Sequence, residues 1–284
     1  MAAYKASEKR WRPLSEAQIR QDSQLLDVLR LSSEQQRRVR SVGTWQWTPE
    51  SPERPILAFD GFGDKHSGFY VIPNAIDTKT QLQVAHACLT EYCEAPHYYK
   101  ENFSPVPPFL EKIAMQCAEA CGMTIAAEAV IVNFYKKTSK MGGHQDDVEY
   151  TMDHPVISLS LGSSSIFLKG TTTKEDPPLE VLLRSGDLAV LGGNSRLSYH
   201  GVAKVLPVGT FDVPKEQWEA LVEGKSSEEQ DEYAAVQKYL GANRININVR
   251  QVYPLEKTEA SDSAEEEAPS RKRTRSSSEG ETSP

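Results

Sequence analysis

Two histidines and an aspartate in this chain of 284 residues could share one metal ion. His144 and Asp146 stand two apart, and His200 follows 56 residues after the first histidine. Neutral imidazoles and a carboxylate on one face leave coordination positions free, the arrangement that suits oxygen-activating non-haem Fe(II). On an extended segment the His144-x-Asp146 spacing turns both side chains to one side. Gly142-Gly143 just before them permits a tight bend. Further on, Arg244-Ile245-Asn246-Ile247-Asn248-Val249-Arg250 alternates without a break. Ile245, Ile247 and Val249 suit a core, while Arg244, Asn246, Asn248 and Arg250 share the opposite face. Arginine grips carboxylates bidentately, so one arginine at each end of a small dicarboxylate fits this face. Asn133-Phe134-Tyr135 repeats the alternation, with Asn133 and Tyr135 as hydrogen-bonding groups. Taken singly, each feature also has a plain structural reading: a packed strand histidine, or a solvated strand face.

The elements that must position these groups change in character along the chain. Ser15 is placed to cap an amphipathic helix carrying Leu25, Leu26, Val28, Leu29 and Leu31. The stretch 43–55, with Pro49, Pro52 and Pro55, reads as a linker. Short strands are expected at 56–59 and 69–72 around the Gly61-Phe62-Gly63 turn, then helices at 80–93, capped by Asp77, and 108–122, closed by Gly122. Strands follow at 129–135, 155–161, 165–168, 179–183, 187–191, 199–202 and 245–251. Gly162-Ser163-Ser164, Ser185-Gly186-Asp187 and Gly192-Gly193-Asn194 supply turns between them. A helical insertion over 214–240 precedes the last strand. Short strands at this spacing favour a sandwich or jelly roll.

Composition narrows the setting. The last stretch, 256–284, has no aromatic residue and no Ile, Val, Leu or Phe, and holds eight acids against five bases. Burial there cannot offset ordering entropy, so a disordered tail is expected. This divides the chain into an N-terminal helical arm and linker (1–56), a folded domain (57–255) and the tail (256–284). The formal net charge of -8 excludes a uniformly basic surface. Lys9, Arg10, Arg12, Arg37, Arg38 and Arg40 could still offer a local patch for a phosphate backbone. Cys88, Cys93, Cys117 and Cys121 read as free thiols in helices. No apolar run is long enough to span a membrane, and the N-terminus lacks the apolar stretch of a secretion signal. A reducing intracellular setting is therefore expected.

His144-x-Asp146, His200, Arg244-x-Asn246-x-x-x-Arg250 and Asn133-x-Tyr135 together resemble the AlkB family of Fe(II)- and 2-oxoglutarate-dependent dioxygenases. The block 182–200, with Ser185-Gly186-Asp187, Gly192-Gly193, Ser195-Arg196-Leu197 and Tyr199-His200, is similar to that family's strands leading to the second histidine. The likeness covers about residues 125–253 and weakens back to about 57. It implies an α+β fold with a mainly β core, a double-stranded β-helix (jelly-roll) with flanking helices. It also implies Fe(II), 2-oxoglutarate and O2 as cofactors and co-substrates. His144, Asp146 and His200 would hold iron, and Asn133, Tyr135, Arg244, Asn246 and Arg250 would bind 2-oxoglutarate. The implied activity is oxidative demethylation of N-methylated bases in DNA or RNA, including transfer RNA, with release of formaldehyde, succinate and CO2.

On the substrate side the chain departs from the family's bacterial founder. Val148 replaces an acidic residue that contacts the damaged base there, and Lys174 stands in place of an arginine. Tyr98 and Tyr99, with Phe62, Phe69, Tyr70 and Phe103, are candidates to stack on an extruded base. The expected partner is methylated nucleic acid, with no membrane and a monomeric chain. Nucleus and cytoplasm are the expected compartments, the mitochondrion being left open. Arg271-Lys272-Arg273-Thr274-Arg275 resembles a nuclear import signal. Two other readings compete: the same chemistry on 5-methylcytosine of transfer RNA or on protein, or a nucleic-acid-binding module without turnover.

Overall fold

The computed structural model describes residues 2–92 and 104–254. Cys93, Tyr98, Tyr99, Phe103 and the 256–284 tail with its basic run lie outside the described residues. The described residues up to Tyr253 belong to one compact unit.

The chain opens with α1 (Ala3–Arg10). Ser15 and Ser32 then each build a capping box with the glutamine three residues on, starting α2 (Glu16–Gln21) and α3 (Ser33–Arg38). The helix capped at Ser15 is thus far shorter than its leucine pattern suggests. Asp22 and Asp27 accept the backbone N–H groups of Gln24 and Leu29, forming local turns that compete with helical hydrogen bonds. Leu25 and Leu26 are buried, but Leu29 is 62% exposed.

The expected linker is a hairpin. β1 (Arg40–Trp45) pairs antiparallel with β2 (Arg54–Ala58), and Pro49 and Pro52 fall in the connection. Burial overrides the prolines here: Trp45 and Trp47 stack in the core, and the Trp45 indole N–H donates to Ala75 O. Next come β3 (Phe69–Ile72), α4 (Thr78–Thr90), capped by Asp77 as expected, and α5 (Pro108–Ala120), with proline in its first turn.

The remaining elements are β4 (Ala129–Tyr135), β5 (Met141–His144), β6 (Val156–Gly162), β7 (Ser164–Lys169), β8 (Leu179–Leu183), β9 (Leu188–Leu191) and β10 (His200–Leu206). The insertion is two helices, α6 (Lys215–Val222) and α7 (Ser227–Ala242), before β11 (Arg244–Arg250).

The strands form a seven-stranded sheet, β1-β2-β3-β9-β6-β11-β4, and a four-stranded sheet, β5-β10-β7-β8. All the paired strands run antiparallel, as the jelly-roll expectation requires. Alternation decides which face is dry. Ile157, Leu159 and Leu161 of β6 join Ile245, Ile247 and Val249 of β11 in a core with α4, α5 and α7. Each fully buried aliphatic side chain contributes about 1.5–3 kcal/mol. A one-residue slip would therefore expose the whole row, which fixes register. Ser158, Ser160, Arg244, Asn246 and Asn248 must then face the other way, toward the smaller sheet.

Candidate metal and dianion site

β5 and β10 bring the histidines together. His144 ends one strand, His200 begins the other, and the two are direct partners in the antiparallel pair. Their ring centroids lie 4.4 Å apart. Asp146 completes the group: its Oδ1 is 3.7 Å from His144 Nε2 and its Oδ2 3.4 Å from His200 Nε2. One donor atom from each of the three lies within 4.8 Å of the others.

The protonation states suit a metal. His144 Nδ1 lies 3.1 Å from Gly142 O, and His200 Nδ1 3.1 Å from Ser198 O. A carbonyl only accepts, so each ring carries its proton on Nδ1 and presents an Nε2 lone pair to the centre. Burial, followed by the repulsion a protonated His200 would exert, lowers the His144 pKa and favours its neutral ring. Burial works to raise the Asp146 pKa, but His200 and Arg250 outweigh it and hold the carboxyl well below its ordinary range. Asp146 is buried, and its Oδ2 has no hydrogen-bond partner. Arg250 Nη2 lies 2.7 Å from it as an ion-pair partner. An ionised carboxylate beside two imidazole lone pairs is a donor set that fits a divalent cation.

Behind Asp146 lies a buried charge relay. Arg250 Nη1 donates to Glu149 Oε1 at 2.7 Å. Arg196 donates to Glu149 Oε2 at 3.2 Å, to Asp146 O at 2.6 Å and to His154 O at 2.9 Å. Gln145 turns away to donate to Leu197 O at 2.6 Å.

Beside the histidines a cavity of about 460 Å³, including its open mouth, runs between the two sheets. Met141, Phe167 and Leu191 form apolar wall, while Tyr135, Ser158, Arg244, Asn246 and Asn248 supply polar groups. Arg244 is 1% exposed, and its Nε and Nη1 have no partner. Burial lowers its pKa to about 10, against the opposing pull of Tyr135 and Asp187, so it stays charged at neutral pH. A buried guanidinium with two unmet donors, facing a cavity, has the chemistry to pair with a carboxylate.

The structure places the expected site residues differently. Tyr135, Arg244 and Asn246 line the cavity with His144 and His200. Asn133 is the register partner of Asn246 and shares its sheet face, but is not in the cavity lining. Arg250 sits against Asp146 and Glu149, away from that lining. Lys174 Nζ packs 4.5 Å from the Tyr199 ring centroid, next to His200. Of the stacking candidates, Phe69 is a core residue packed on Phe59 and Phe167, and Phe62 lies under the Arg38 guanidinium. The basic arm is partly spent internally: Arg10 pairs with Asp22 and Glu180, and Arg40 with Asp60. Val148 is 84% exposed.

Sequence reasoning missed Glu149 and gave Arg196 no role. Their pairings span 47 and 101 residues and leave no periodic trace. Lys169 was missed too. It ends β7 directly opposite His200, is fully buried, and donates to Lys65 O at 3.0 Å beside His66 Nδ1. Burial lowers its pKa to about 7. The unfolded chain therefore holds more protons between about pH 7 and 10, and stability rises with pH across that window. Lys169→Met is expected to stabilise the protein at pH 7 by on the order of 2–4 kcal/mol, an advantage that disappears toward pH 10. Urea unfolding at both pH values checks this; an equal gain at both would contradict it.

Comparison with known proteins gives a consistent picture. The family described as the 2OG-Fe(II) oxygenase superfamily matches residues 68–250. An Arabidopsis thaliana DNA N(6)-methyladenine demethylase, ALKBH1A, is 36% identical over 132 residues, covering 46% of this chain and 36% of that protein. The Homo sapiens nucleic acid dioxygenase ALKBH1 is 33% identical over 183 residues, 58% of this chain and 46% of the relative. A Schizosaccharomyces pombe tRNA demethylase, abh1, is 33% identical over 146 residues, 51% and 43% of the two chains. The chain thus spans less than half the length of these relatives. A solved structure of OsALKBH1 superposes with a TM-score of 0.49 at 20% identity, covering 65% of this chain and 96% of the other.

Proposed function

The chain belongs to the 2OG-Fe(II) oxygenase superfamily, with likenesses among its AlkB-type members, and on that premise we propose that it oxidatively demethylates N-methylated bases of nucleic acid. The observation that carries the reading is one cavity holding two kinds of unmet demand. His144 and His200, two of the three clustered metal donors, line it, and so does Arg244, whose Nε and Nη1 have no partner.

His144 Nε2, His200 Nε2 and an Asp146 oxygen would hold Fe(II), with the Gly142 and Ser198 carbonyls fixing the imidazole tautomers. Arg244 would take the distal carboxylate of 2-oxoglutarate, helped by Tyr135 and Asn246, and Asn133 would support them from the neighbouring strand. Arg250 would hold Asp146 in its ionised form from behind, close to the co-substrate's metal-side end. Bound Fe(II) with 2-oxoglutarate supplies activation of O2 for oxidation of a C–H bond. Met141, Phe167 and Leu191 keep water from the dianion and strengthen its pairing with Arg244. Overall, one oxygen atom enters succinate as 2-oxoglutarate loses CO2. The other enters the methyl group, whose carbon departs as formaldehyde and leaves N–H on the base. The protein's share is placement of metal, co-substrate and target carbon.

The named relatives include one acting on DNA and one on transfer RNA, so both polymers belong in the test. Lys174, Tyr98 and Tyr99 are the residues we assign to substrate contact, and residues 57–255 form the catalytic domain. No helix among the described residues is long and apolar enough to cross a membrane. We assign the chain to nucleus and cytoplasm on its nucleic-acid substrate and on the basic run 271–275; a reporter fused to 256–284 that failed to enter nuclei would remove the second support.

With Fe(II), 2-oxoglutarate and ascorbate, formaldehyde is expected from single-stranded DNA or a transfer-RNA stem-loop bearing N1-methyladenine, and none from His144→Ala. Succinate without formaldehyde on either polymer would move the chemistry to another target, such as 5-methylcytosine or protein. No turnover in iron-loaded protein would leave a binding module.

A further inference from the structure

β5 carries His144 but is poorly secured by its own sheet. It is an edge strand of four residues, paired among the described residues only with β10, and the register between them is broken. Two of the four residues are glycines. Edge strands leave backbone N–H groups without ladder partners, and a glycine pair loses more backbone freedom on ordering than any other. Something else must hold this strand.

That element is α1. Glu8 is buried and accepts the Gly143 N–H through Oε1 at 2.7 Å, while its other oxygen pairs with Lys5 at 2.5 Å. Tyr4, fully buried, lays its ring where a side chain at Gly143 would otherwise sit. The opposite edge of the same ring would meet a Cβ at Gly170 at 2.8 Å. Its hydroxyl donates to Leu168 O at 3.2 Å, its backbone N–H donates to Lys174 O at 3.1 Å, and its ring meets Tyr199 edge-on at 6.4 Å. Tyr4 therefore fills the space between the strand that ends in His144 and the residue that precedes His200. Lys204 of β10 anchors the arm by donating to the carbonyls of Trp11, Arg12 and Leu14. All these arm residues precede residue 68, where the superfamily match begins.

We propose that α1 is a strut for the metal site, in which Glu8 and Tyr4 are positioning residues that hold His144 at coordinating distance from Asp146 and His200. The inference rests on the reading of His144 as a metal ligand. Residues that orient metal ligands from behind typically change metal affinity by about 10- to 100-fold when removed. The strut belongs in that class, because losing the Gly143 tether frees the backbone next to the ligand.

The test is Mn(II) binding by the full-length chain, followed by electron paramagnetic resonance of the free ion, with amide hydrogen exchange of the metal-free protein. Glu8→Ala is expected to weaken Mn(II) binding about tenfold and to speed exchange at Gly143 while β10 stays protected. Glu8→Gln keeps an acceptor for Gly143 N–H and should restore both readouts, and Tyr4→Phe, which keeps the wedge, should bind like wild type. Unchanged affinity in Glu8→Ala would overturn the strut while leaving the metal site intact. Wild-type Mn(II) binding that is absent, or insensitive to His144→Ala, would instead sink the metal reading and the strut with it. Should Glu8→Ala not fold, the wild-type Gly143 amide decides: protection like that of β10 supports the strut, and exchange as fast as the 136–140 loop overturns it.

Discussion

Arg244→Met is expected to weaken 2-oxoglutarate binding by about 100- to 1000-fold, equivalent to about 3–4 kcal/mol. It should also raise the melting temperature of the ligand-free protein. Both effects come from one fact: Arg244 is a buried cation with two donors unmet. A carboxylate entering the cavity satisfies them, and methionine offers it nothing. Without the dianion the same charge is a cost, and replacing a buried ionic group by an apolar one of similar volume often gains about 1–4 kcal/mol. Asp187, the acid nearest in electrostatic effect, does not depend on the arginine for its hydrogen bonds, because the backbone N–H groups of Asn74 and Arg184 supply them. Calorimetric titration with 2-oxoglutarate and a thermal melt settle the matter together. Undiminished affinity would mean that the dianion is held elsewhere, and a destabilised apo protein would mean that Arg244 serves the core.

Glu149→Ala should be among the most destabilising substitutions away from the apolar core, costing about 3–5 kcal/mol. Its carboxylate bridges Arg196 and Arg250, all three side chains being at most 6% exposed. Removing it takes the shared counter-charge from two buried guanidiniums, leaving Arg250 with Asp146 and Arg196 with backbone carbonyls alone, whereas removing a surface ion pair would cost little. For a folded unit of this size each kcal/mol moves the melting temperature by about 2–4 °C, so a fall of roughly 10 °C is expected. Metal affinity should drop as well, because Arg250 and Arg196 both bear on Asp146. A loss below about 1 kcal/mol would show that water reaches the relay and screens it.

The sequence announced the chemistry more clearly than the scaffold. β11 was legible because its two faces have opposite needs: the Ile245, Ile247, Val249 row joins the core, which forces Arg244 and Asn246 toward the cavity. His144, Asp146 and His200 were legible as a donor set, and they converge because β5 and β10 pair at the two histidines. The exchange of roles between the arginines was not legible. Alternation puts Arg244 and Arg250 on one face, but only tertiary structure brings Glu149 and Asp146 to the second and leaves the first unpaired. The N-terminal third was read too simply for a related reason. Its prolines and aspartates mark turns correctly, yet Trp45, Trp47 and Tyr4 are anchors whose partners lie far along the chain. β5 escaped notice because a four-residue strand with two glycines has no periodic signature, and its pairing with β10 and its tether to Glu8 are both long-range.

The central claim is that one cavity couples a three-donor metal centre to a 2-oxoglutarate receptor. Its most direct measurement is succinate formation from 2-oxoglutarate under O2, with and without Fe(II), in wild-type protein, His144→Ala and Arg244→Met. The account predicts iron-dependent succinate from wild type and loss of turnover in both variants, with 2-oxoglutarate affinity collapsing in Arg244→Met. Iron-independent succinate, or wild-type rates in His144→Ala, would contradict it.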